Sequence, residues 1–218
     1  MSARPLLLVG AGGLAREVLA AVRAADSAPQ WTVEGFLDDN AATHGRTIDG
    51  LPVLGPIDMV VDRTDAAIVL CTASTRNQSS RKLIADRLGL SPDRYATVVH
   101  PAASVALGTT IGAGTVLLAF ATVTAPQTIG AHVIVMPHTT FTHDDHVGDY
   151  TTFASRVSLS GDVTVGETAY LGSGALVREG LTIGAGALIG MGAVVLEDVP
   201  PSEVWVGSPA HRLRPSAT

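Results

Sequence analysis

Bulky apolar residues recur at every sixth position through the second half of the chain. From Val105 to Val195, sixteen successive positions spaced by six residues are all large and apolar, with no insertion between them. Glycine often follows the apolar residue, and a small or β-branched residue often lies four positions after it. Amphipathic helices repeat every 3.6 residues and flat strands every two, so neither explains this pattern. A period of six predicts a parallel β-helix, in which each hexapeptide forms one short side of a coil.

The first half alternates short apolar runs with helical patterns, which is typical of an α/β domain. The predicted strands cover residues 5–10, 33–37 and 66–71, and the predicted helices cover residues 16–25 and 76–88. We therefore expect an α/β plus all-β protein. A small Rossmann-like domain over residues 1–95 would precede the β-helix over residues 96–199. The C-terminal tail, residues 200–218, would pack on the β-helix.

A glycine-rich turn joins the first predicted strand to the first predicted helix. The segment Gly10-Ala11-Gly12-Gly13-Leu14-Ala15 is a G-x-G-x-x-A version of the dinucleotide-binding turn. Its glycines let the backbone approach a phosphate, and the following helix offers free N–H groups. An acid at the end of the second strand accepts hydrogen bonds from a ribose hydroxyl. The candidate acceptor-binding residues are Gly10, Gly12, Gly13, Leu14, Asp38 and Asp39. The alternative is a turn that only packs a helix on a sheet.

Charge and cysteine content exclude several classes of function. The net charge is −6 and no block of Lys or Arg is present, so we expect no nucleic-acid partner. The single cysteine, Cys71, excludes an intrachain disulfide and a cysteine-based zinc site. The apolar run Leu6–Val9 is too short for a signal peptide, and Gly, Thr, Pro and His interrupt the uncharged stretch Tyr95–His143 too often for a membrane helix. We therefore expect a cytoplasmic protein with no membrane partner.

The glycine turn, the Phe36-Leu37-Asp38-Asp39 segment and the hexapeptide repeat together resemble a known family. They resemble the bacterial sugar O- and N-acyltransferases of the hexapeptide-repeat superfamily, the group related to sialic acid O-acetyltransferase and to the UDP-4-amino-sugar N-acetyltransferase of bacillosamine synthesis. The resemblance implies a left-handed β-helix with 18 residues per coil and a homotrimer with ligand clefts between its prisms. It also implies acetyl-CoA as cosubstrate and a nucleotide-sugar held by the first domain. Leu14 and Ala15 stand where many relatives have His and Gly, so the nucleotide stays open.

Four histidines, at 132, 138, 143 and 146, lie within fifteen residues. Acyl transfer to an amine or hydroxyl needs a general base near neutral pH and a donor for the thioester oxygen. The stretch Phe141–Asp149 resembles the family's catalytic stretch, which implies His143 as the base and Asp144 as its orienting acid. Gly161 follows His143 by 18 residues and matches the family glycine whose N–H meets the thioester carbonyl. No G-x-S-x-G elbow is present, so we expect direct transfer without an acyl-enzyme.

The other histidines have less specific interpretations. His132 and His138 share one phase of the repeat, and we interpret both as interface or surface residues. His146 is as consistent with a structural role as with a functional one. Many relatives carry a second His at the position of Thr152.

The donor site is expected along the later coils. The segment Val206-Gly207-Ser208-Pro209-Ala210 resembles the family's closing motif, which lies near the CoA. Backbone groups of Gly172-Ser173-Gly174 and Gly190-Met191-Gly192 would line the pantetheine cleft. The alternative role of these glycines is to form tight corners of the β-helix. The candidate cofactor-binding residues are Ala154, Ser155, Gly161, Ser173, Gly174, Gly190, Gly192 and Pro209.

Two rival functions share this architecture. A γ-carbonic-anhydrase-like metal enzyme would use the H-x4-H spacing of His138 and His143, but its third ligand would fall at Ala102. A non-catalytic scaffold would make His143 and Asp144 dispensable. We therefore expect an acetyl-CoA-dependent acyltransferase without a metal. The base serves amines and hydroxyls alike, so N- and O-acylation stay open at this point.

Overall fold

The computed structural model describes residues 3–25 and 30–216. The first part is a five-stranded sheet with the strand order β3-β4-β2-β1-β5 and two α-helices. Its elements are β1 (Arg4–Val9), α1 (Gly13–Arg23), β2 (Trp31–Leu37), β3 (Thr47–Ile48), β4 (Leu51–Gly55), β5 (Ala67–Leu70) and α2 (Ser80–Leu88). Short 3-10 turns lie at Ala41–Thr43, Ile57–Val61 and Pro92–Arg94. Strand β1 pairs in parallel with both β2 and β5, which explains its continuous apolar sequence.

The second part is built from two-residue parallel strands. They are β6 (Val98–Val99), β7 (Ser104–Val105), β8 (Thr110–Ile111), β9 (Val116–Leu117), β10 (Thr122–Val123), β11 (Thr128–Ile129), β12 (Ile134–Val135), β13 (Thr140–Phe141), β14 (His146–Val147), β15 (Thr152–Phe153), β16 (Ser158–Leu159), β17 (Thr164–Val165), β18 (Tyr170–Leu171), β19 (Leu176–Val177), β20 (Thr182–Ile183), β21 (Leu188–Ile189) and β22 (Val194–Val195). They stack in three sheets, which form the three sides of a prism.

Each side of the prism takes every third strand. Side 1 runs from β7 to β22 through β10, β13, β16 and β19, and side 2 runs from β8 to β20 through β11, β14 and β17. Side 3 runs from β6 to β21 through β9, β12, β15 and β18. Val123 pairs with Phe141, and Val135 with Phe153, so residues 18 apart lie one above the other. The expected fold, a Rossmann-like domain followed by a left-handed parallel β-helix, is confirmed.

The residues of the six-residue repeat fill the interior of the prism. Leu117, Phe141 and Phe153 are completely buried, and the two phenyl rings make an edge-to-face contact with their centroids 4.7 Å apart. The small residues four positions later lie in the same core, as Val157 and Ala175 show. Alternation of large and small side chains at these positions explains why the period of six is maintained.

The C-terminal segment extends side 3. Strand β23 (Glu203–Val206) pairs in parallel with β21, and β24 (His211–Pro215) pairs with β23 in an antiparallel manner. Ala210, between these strands, is buried in the prism core. The segment thereby covers the last coil on this side.

Helix α2 fixes the first domain on the β-helix. Arg81 is completely buried there, and its guanidinium donates hydrogen bonds to the carbonyl oxygens of Thr72 and His132, and to the Thr152 hydroxyl. Gln78 donates to the carbonyl oxygen of Ala187 at 3.0 Å. Burial lowers the pKa of Arg81 to about 10, so the group stays charged at neutral pH.

No helix in the described ranges is both long and apolar enough to cross a bilayer.

Candidate active site

His143 lies in the turn between β13 and β14, at the corner where sides 1 and 2 of the prism meet. We call this corner, formed by residues 142–145 and 160–163, the His143 corner. Asp144 has a left-handed backbone with φ 62°, which Asp adopts more readily than most residues. The two side chains are 67% and 76% exposed, so they project from the corner and face solvent in the single chain.

The imidazole of His143 lies directly on the backbone of Gly161. A Cβ placed at Gly161 would come within 3.0 Å of the ring atoms Cε1, Nε2 and Nδ1 of His143. Only glycine therefore permits this contact without displacing the ring. The N–H of Gly161 makes no hydrogen bond within residues 3–25 and 30–216. A free backbone donor thus lies one coil away from the ring.

Asp144 orients the imidazole through a hydrogen bond. The Nδ1 atom of His143 lies 2.8 Å from Oδ2 of Asp144, which assigns the ring proton to Nδ1 and leaves the lone pair on Nε2. This hydrogen bond, together with the negative charges of Asp144, Asp145 and Asp162, raises the pKa of His143. The arrangement suits a general base that must accept a proton at Nε2 and tolerate the resulting charge.

Asp145 and Gln127 hold the turn that carries His143. Asp145 is buried, and its two carboxylate oxygens accept hydrogen bonds from the backbone N–H groups of Thr142 and Val163, at 2.9 and 3.0 Å. Gln127 accepts from the N–H of Asp145 at 2.9 Å and donates to the carbonyl oxygen of Thr142 at 3.2 Å. These four bonds tie three successive coils together at the His143 corner. Sequence reasoning did not assign a role to either residue.

The glycine turn lines a separate cavity in the first domain. Gly10 has φ +104°, and Oδ2 of Asp38 accepts a hydrogen bond from the N–H of Ala11 at 2.8 Å. Gly12 and Gly13 contribute to a cavity of 490 Å³. The same cavity is lined by Ala11, Arg16, Thr43, Arg46, Thr47, Ile48 and Asp49. Asp49 pairs with Arg16 there at 2.8 Å, so Arg46 and the N–H groups at the start of α1 are the groups that suit a phosphate.

The remaining candidate acceptor residues are not all in that cavity. Leu14 packs on the core of the first domain. Asp39 accepts a hydrogen bond from the N–H of Ile57 and forms an ion pair with Arg87 at 2.9 Å. The structure therefore groups Gly12 and Gly13 with the two arginines, with Asp38 bracing the turn behind them. It gives Asp39 structural contacts instead.

Apart from Gly161, the candidate donor residues lie away from the His143 corner. Ser155, Ser173, Gly174 and Gly192 occupy the corner where sides 3 and 1 meet, which we call the Ser173 corner. Ala154 is buried at the end of β15, and Pro209 lies in the segment between β23 and β24. Ser173 and Gly190 line a cavity of 590 Å³. In one chain, a full side of the prism separates these residues from His143 and Gly161.

The other histidines differ in their surroundings. His132 is buried between the rings of Tyr95 and Tyr150, with ring centroids 4.5 and 4.8 Å away, and burial lowers its pKa to about 4. It is therefore a neutral residue of the domain interface. His138 stacks on Phe120 at the Ser173 corner. No cluster of three His, Cys, Asp or Glu side chains suited to a metal occurs in the described part of the chain.

A domain family and a curated protein each match part of the chain. Residues 5–88 match the PglD N-terminal domain family. The UDP-N-acetylbacillosamine N-acetyltransferase of Bacillus subtilis is 45% identical over 51 residues, which are 23% of this chain and 24% of that protein. The aligned segment thus spans about a quarter of the curated relative's length.

Solved structures match over nearly the whole chain. The acetyltransferase domain of PglB from Neisseria gonorrhoeae, solved in complex with acetyl coenzyme A, superimposes with a TM-score of 0.83 and 27% identity. The match covers 97% of this chain and 100% of that chain. PerB from Caulobacter crescentus, solved with CoA and GDP-perosamine, gives a TM-score of 0.82 at 29% identity and covers 96% of this chain and 97% of its own. The resemblance to bacterial sugar acyltransferases is therefore confirmed.

Proposed function

We propose that this chain, a relative of the bacterial sugar acyltransferases with a PglD N-terminal domain over residues 5–88, transfers an acetyl group from acetyl-CoA to an amine of a nucleotide-linked sugar. The observation that carries the proposal is the His143 imidazole, which is held by Asp144 and lies against the backbone of Gly161, one coil away. The acetyl coenzyme A bound to PglB and the GDP-perosamine bound to PerB support the donor and the acceptor class.

His143 acts as the general base in this proposal. Its Nε2 accepts a proton from the acceptor amine as the nitrogen attacks the thioester carbonyl. The negative charge that develops on the carbonyl oxygen is stabilised by the N–H of Gly161, which is already in place and loses no other partner. Asp144 keeps the ring in the tautomer that can accept the proton and stabilises the imidazolium.

Collapse of the tetrahedral intermediate completes the reaction. The carbon–sulfur bond breaks, the electron pair goes to sulfur, and the proton on His143 Nε2 passes to the departing thiolate. The products are the N-acetylated sugar and CoA, and the base returns to its neutral form. No covalent enzyme intermediate is needed.

We further propose that a complete site is shared between two copies in a homotrimer. The candidate base lies at the His143 corner, whereas Ser173 and Gly190 both lie at the Ser173 corner of the same chain. A donor thioester held along Ser173 of one copy can reach the base only if the His143 corner of a neighbouring copy is placed beside it. The cavity at the glycine turn, which Gly12 and Arg46 line, would hold the acceptor nucleotide.

The proposal is tested by measuring thiol release from acetyl-CoA with UDP-, GDP- and dTDP-linked sugars that carry either an amino or only hydroxyl groups. We expect release with an amino sugar, and His143→Ala should lower the rate about 10²- to 10⁴-fold. His211→Ala, in the exposed strand β24, is the matched control. Size-exclusion chromatography with light scattering should give a trimer for all three proteins.

Two results would contradict the proposal. Full activity of His143→Ala would remove the assigned base. Thiol release with hydroxyl sugars alone would replace N-acylation by O-acylation. If no acceptor supports release, a direct measurement of acetyl-CoA binding separates a wrong acceptor class from a wrong reaction.

A further inference from the structure

The cavity beside the Ser173 corner is lined by positively charged side chains, whereas the protein as a whole is negatively charged. Its charged lining residues are Arg76 and Arg214, and no carboxylate contributes to it, although the net charge of the protein is −6. The cavity at the glycine turn differs, because there Asp49 binds Arg16 at 2.8 Å. In the part of the chain that the structure describes, neither Arg76 nor Arg214 forms an ion pair.

The two arginines come from distant segments that a single residue holds together. Arg76 lies in the loop between β5 and α2, and Arg214 lies in β24. Gln78, two residues after Arg76, donates to the carbonyl oxygen of Ala187 and accepts a hydrogen bond from the Ser216 hydroxyl at 2.7 Å. This residue therefore fixes the loop, the end of the C-terminal strand and side 3 against one another. That anchor therefore holds the two backbone segments that carry Arg76 and Arg214 near each other.

The rest of the lining is largely apolar. Tyr170 and Met191 contribute to the cavity, and Met191 is 81% exposed although it is a large apolar residue. Ser173 and Gly190 offer polar and backbone groups at the same site. A ligand with an apolar arm and several phosphates matches this combination.

We propose that Arg76 and Arg214 bind phosphate groups of the donor's nucleotide half and thereby select acyl-CoA over donors that have only a pantetheine arm. This inference rests on the proposed function and adds donor specificity to it. CoA carries a diphosphate and a 3′-phosphate, whereas S-acetyl-pantetheine carries none. The acceptor has a separate cavity at the glycine turn, so the arginines at the Ser173 corner are available to the donor.

Steady-state kinetics with three donors test the inference. Acetyl-CoA, acetyl-3′-dephospho-CoA and S-acetyl-pantetheine are compared on the wild-type chain, Arg76→Gln and Arg214→Gln. We expect each variant to raise the KM for acetyl-CoA about tenfold, the effect of losing one charge-assisted hydrogen bond, with kcat and the acceptor KM unchanged. The KM for S-acetyl-pantetheine should not change. Arg212→Gln, whose guanidinium is bound to Glu203 at 2.6 Å, is the control in the same strand.

The possible results distinguish a failure of this inference from a failure of the proposed function. Equal KM ratios between acetyl-CoA and S-acetyl-pantetheine in all four proteins would overturn the inference and leave the proposed acetyltransfer intact. A rise in the acceptor KM instead would assign the arginines to the acceptor diphosphate and would also overturn it. Failure of the wild-type chain to bind or use acetyl-CoA would overturn the proposed function together with the inference.

Discussion

The imidazole of His143 lies on the backbone of Gly161, and the contact leaves no room for a Cβ atom at residue 161. Gly161 follows His143 by 18 residues, which is one full coil of the β-helix. The coil therefore places the two residues one above the other. The base and the candidate oxyanion donor are thus related by the repeat itself. The geometry of the site therefore depends on a regular stack of coils below and above residue 143.

Gly161→Ala tests this contact. The added methyl group must displace the imidazole, so we expect kcat/KM to fall about 10²-fold, the scale associated with a misplacement of about 1 Å. The fold should persist with an only slightly lower thermal midpoint, because the methyl group meets the end of an exposed side chain that can move. Enzyme kinetics and thermal unfolding by circular dichroism measure the two effects.

A double-mutant cycle provides the control for Gly161→Ala. When His143→Ala removes the ring, the methyl group at residue 161 has space, and the stability cost of the second change should largely disappear. Equal costs in both backgrounds would show that the methyl group disturbs the coil and not the imidazole.

The repeat made part of this site predictable. Any residue 18 positions after His143 must lie above it, which is why Gly161 could be named beforehand. The same count separates Gly161 from Ser173, which follows it by two hexapeptides and must lie on another corner of the prism. The candidate donor residues were predicted without using this relationship, so their separation from His143 emerged only with the structure.

Other features of the site carried weaker signals. Asp145 and Gln127 occupy repeat positions that elsewhere hold small or branched residues, and this exception marks them as polar groups directed into the turn. Arg81 gave no such signal, because contacts between the two halves follow from neither the period of six nor the helical period. Which of Asp38 and Asp39 faces the glycine turn likewise depends on the contacts of Asp39 with Ile57 and Arg87.

The acid limb of the pH profile should depend on Asp144. The reaction needs the neutral imidazole, so kcat/KM is present above the pKa of His143 and is lost as the pH falls through it. The hydrogen bond that His143 donates to Asp144 raises that pKa, and the charges of Asp145 and Asp162 add to the effect. In Asp144→Asn the limb should therefore move to lower pH, with a lower maximum because the ring is less well oriented.

Measurement of kcat/KM between pH 5 and 9 on the wild-type chain and Asp144→Asn tests this prediction. Asp162→Asn is the matched control: it removes one nearby charge without removing the hydrogen bond, so its limb should move less. A limb that moves to higher pH in Asp144→Asn would contradict the assigned role of Asp144.

Asp145→Asn should impair the same base indirectly. Both carboxylate oxygens of Asp145 accept backbone N–H groups, so an amide at this position points its own N–H groups at one of them. The turn should then lose its fixed position over Gly161, and we expect kcat to fall about tenfold or more while the acceptor KM changes little. The acid limb should also move to lower pH, because a negative charge near His143 is lost.

Asp149→Asn is the matched control for this change. Asp149 accepts the N–H of Ala131 through Oδ1 at 2.7 Å, at the corner between sides 2 and 3, and an Asn there keeps one acceptor oxygen for this bond. Equal effects of the two substitutions on kcat and on the pH profile would assign Asp145 a purely structural role.

Arg81→Met should separate the stability of the domain interface from catalysis. The substitution removes the donor for several buried carbonyl oxygens and the Thr152 hydroxyl. Each unsatisfied buried acceptor is costly, so we expect a loss of about 3 kcal/mol or more in the free energy of unfolding. Lys82→Met, next on the same helix, breaks an exposed ion pair with Glu167 and should leave the thermal midpoint nearly unchanged. Because Arg81 fixes the first domain on side 3, Arg81→Met should also raise the acceptor KM more than the donor KM. An unchanged midpoint in Arg81→Met would show that water replaces the guanidinium and that this interface does not depend on it.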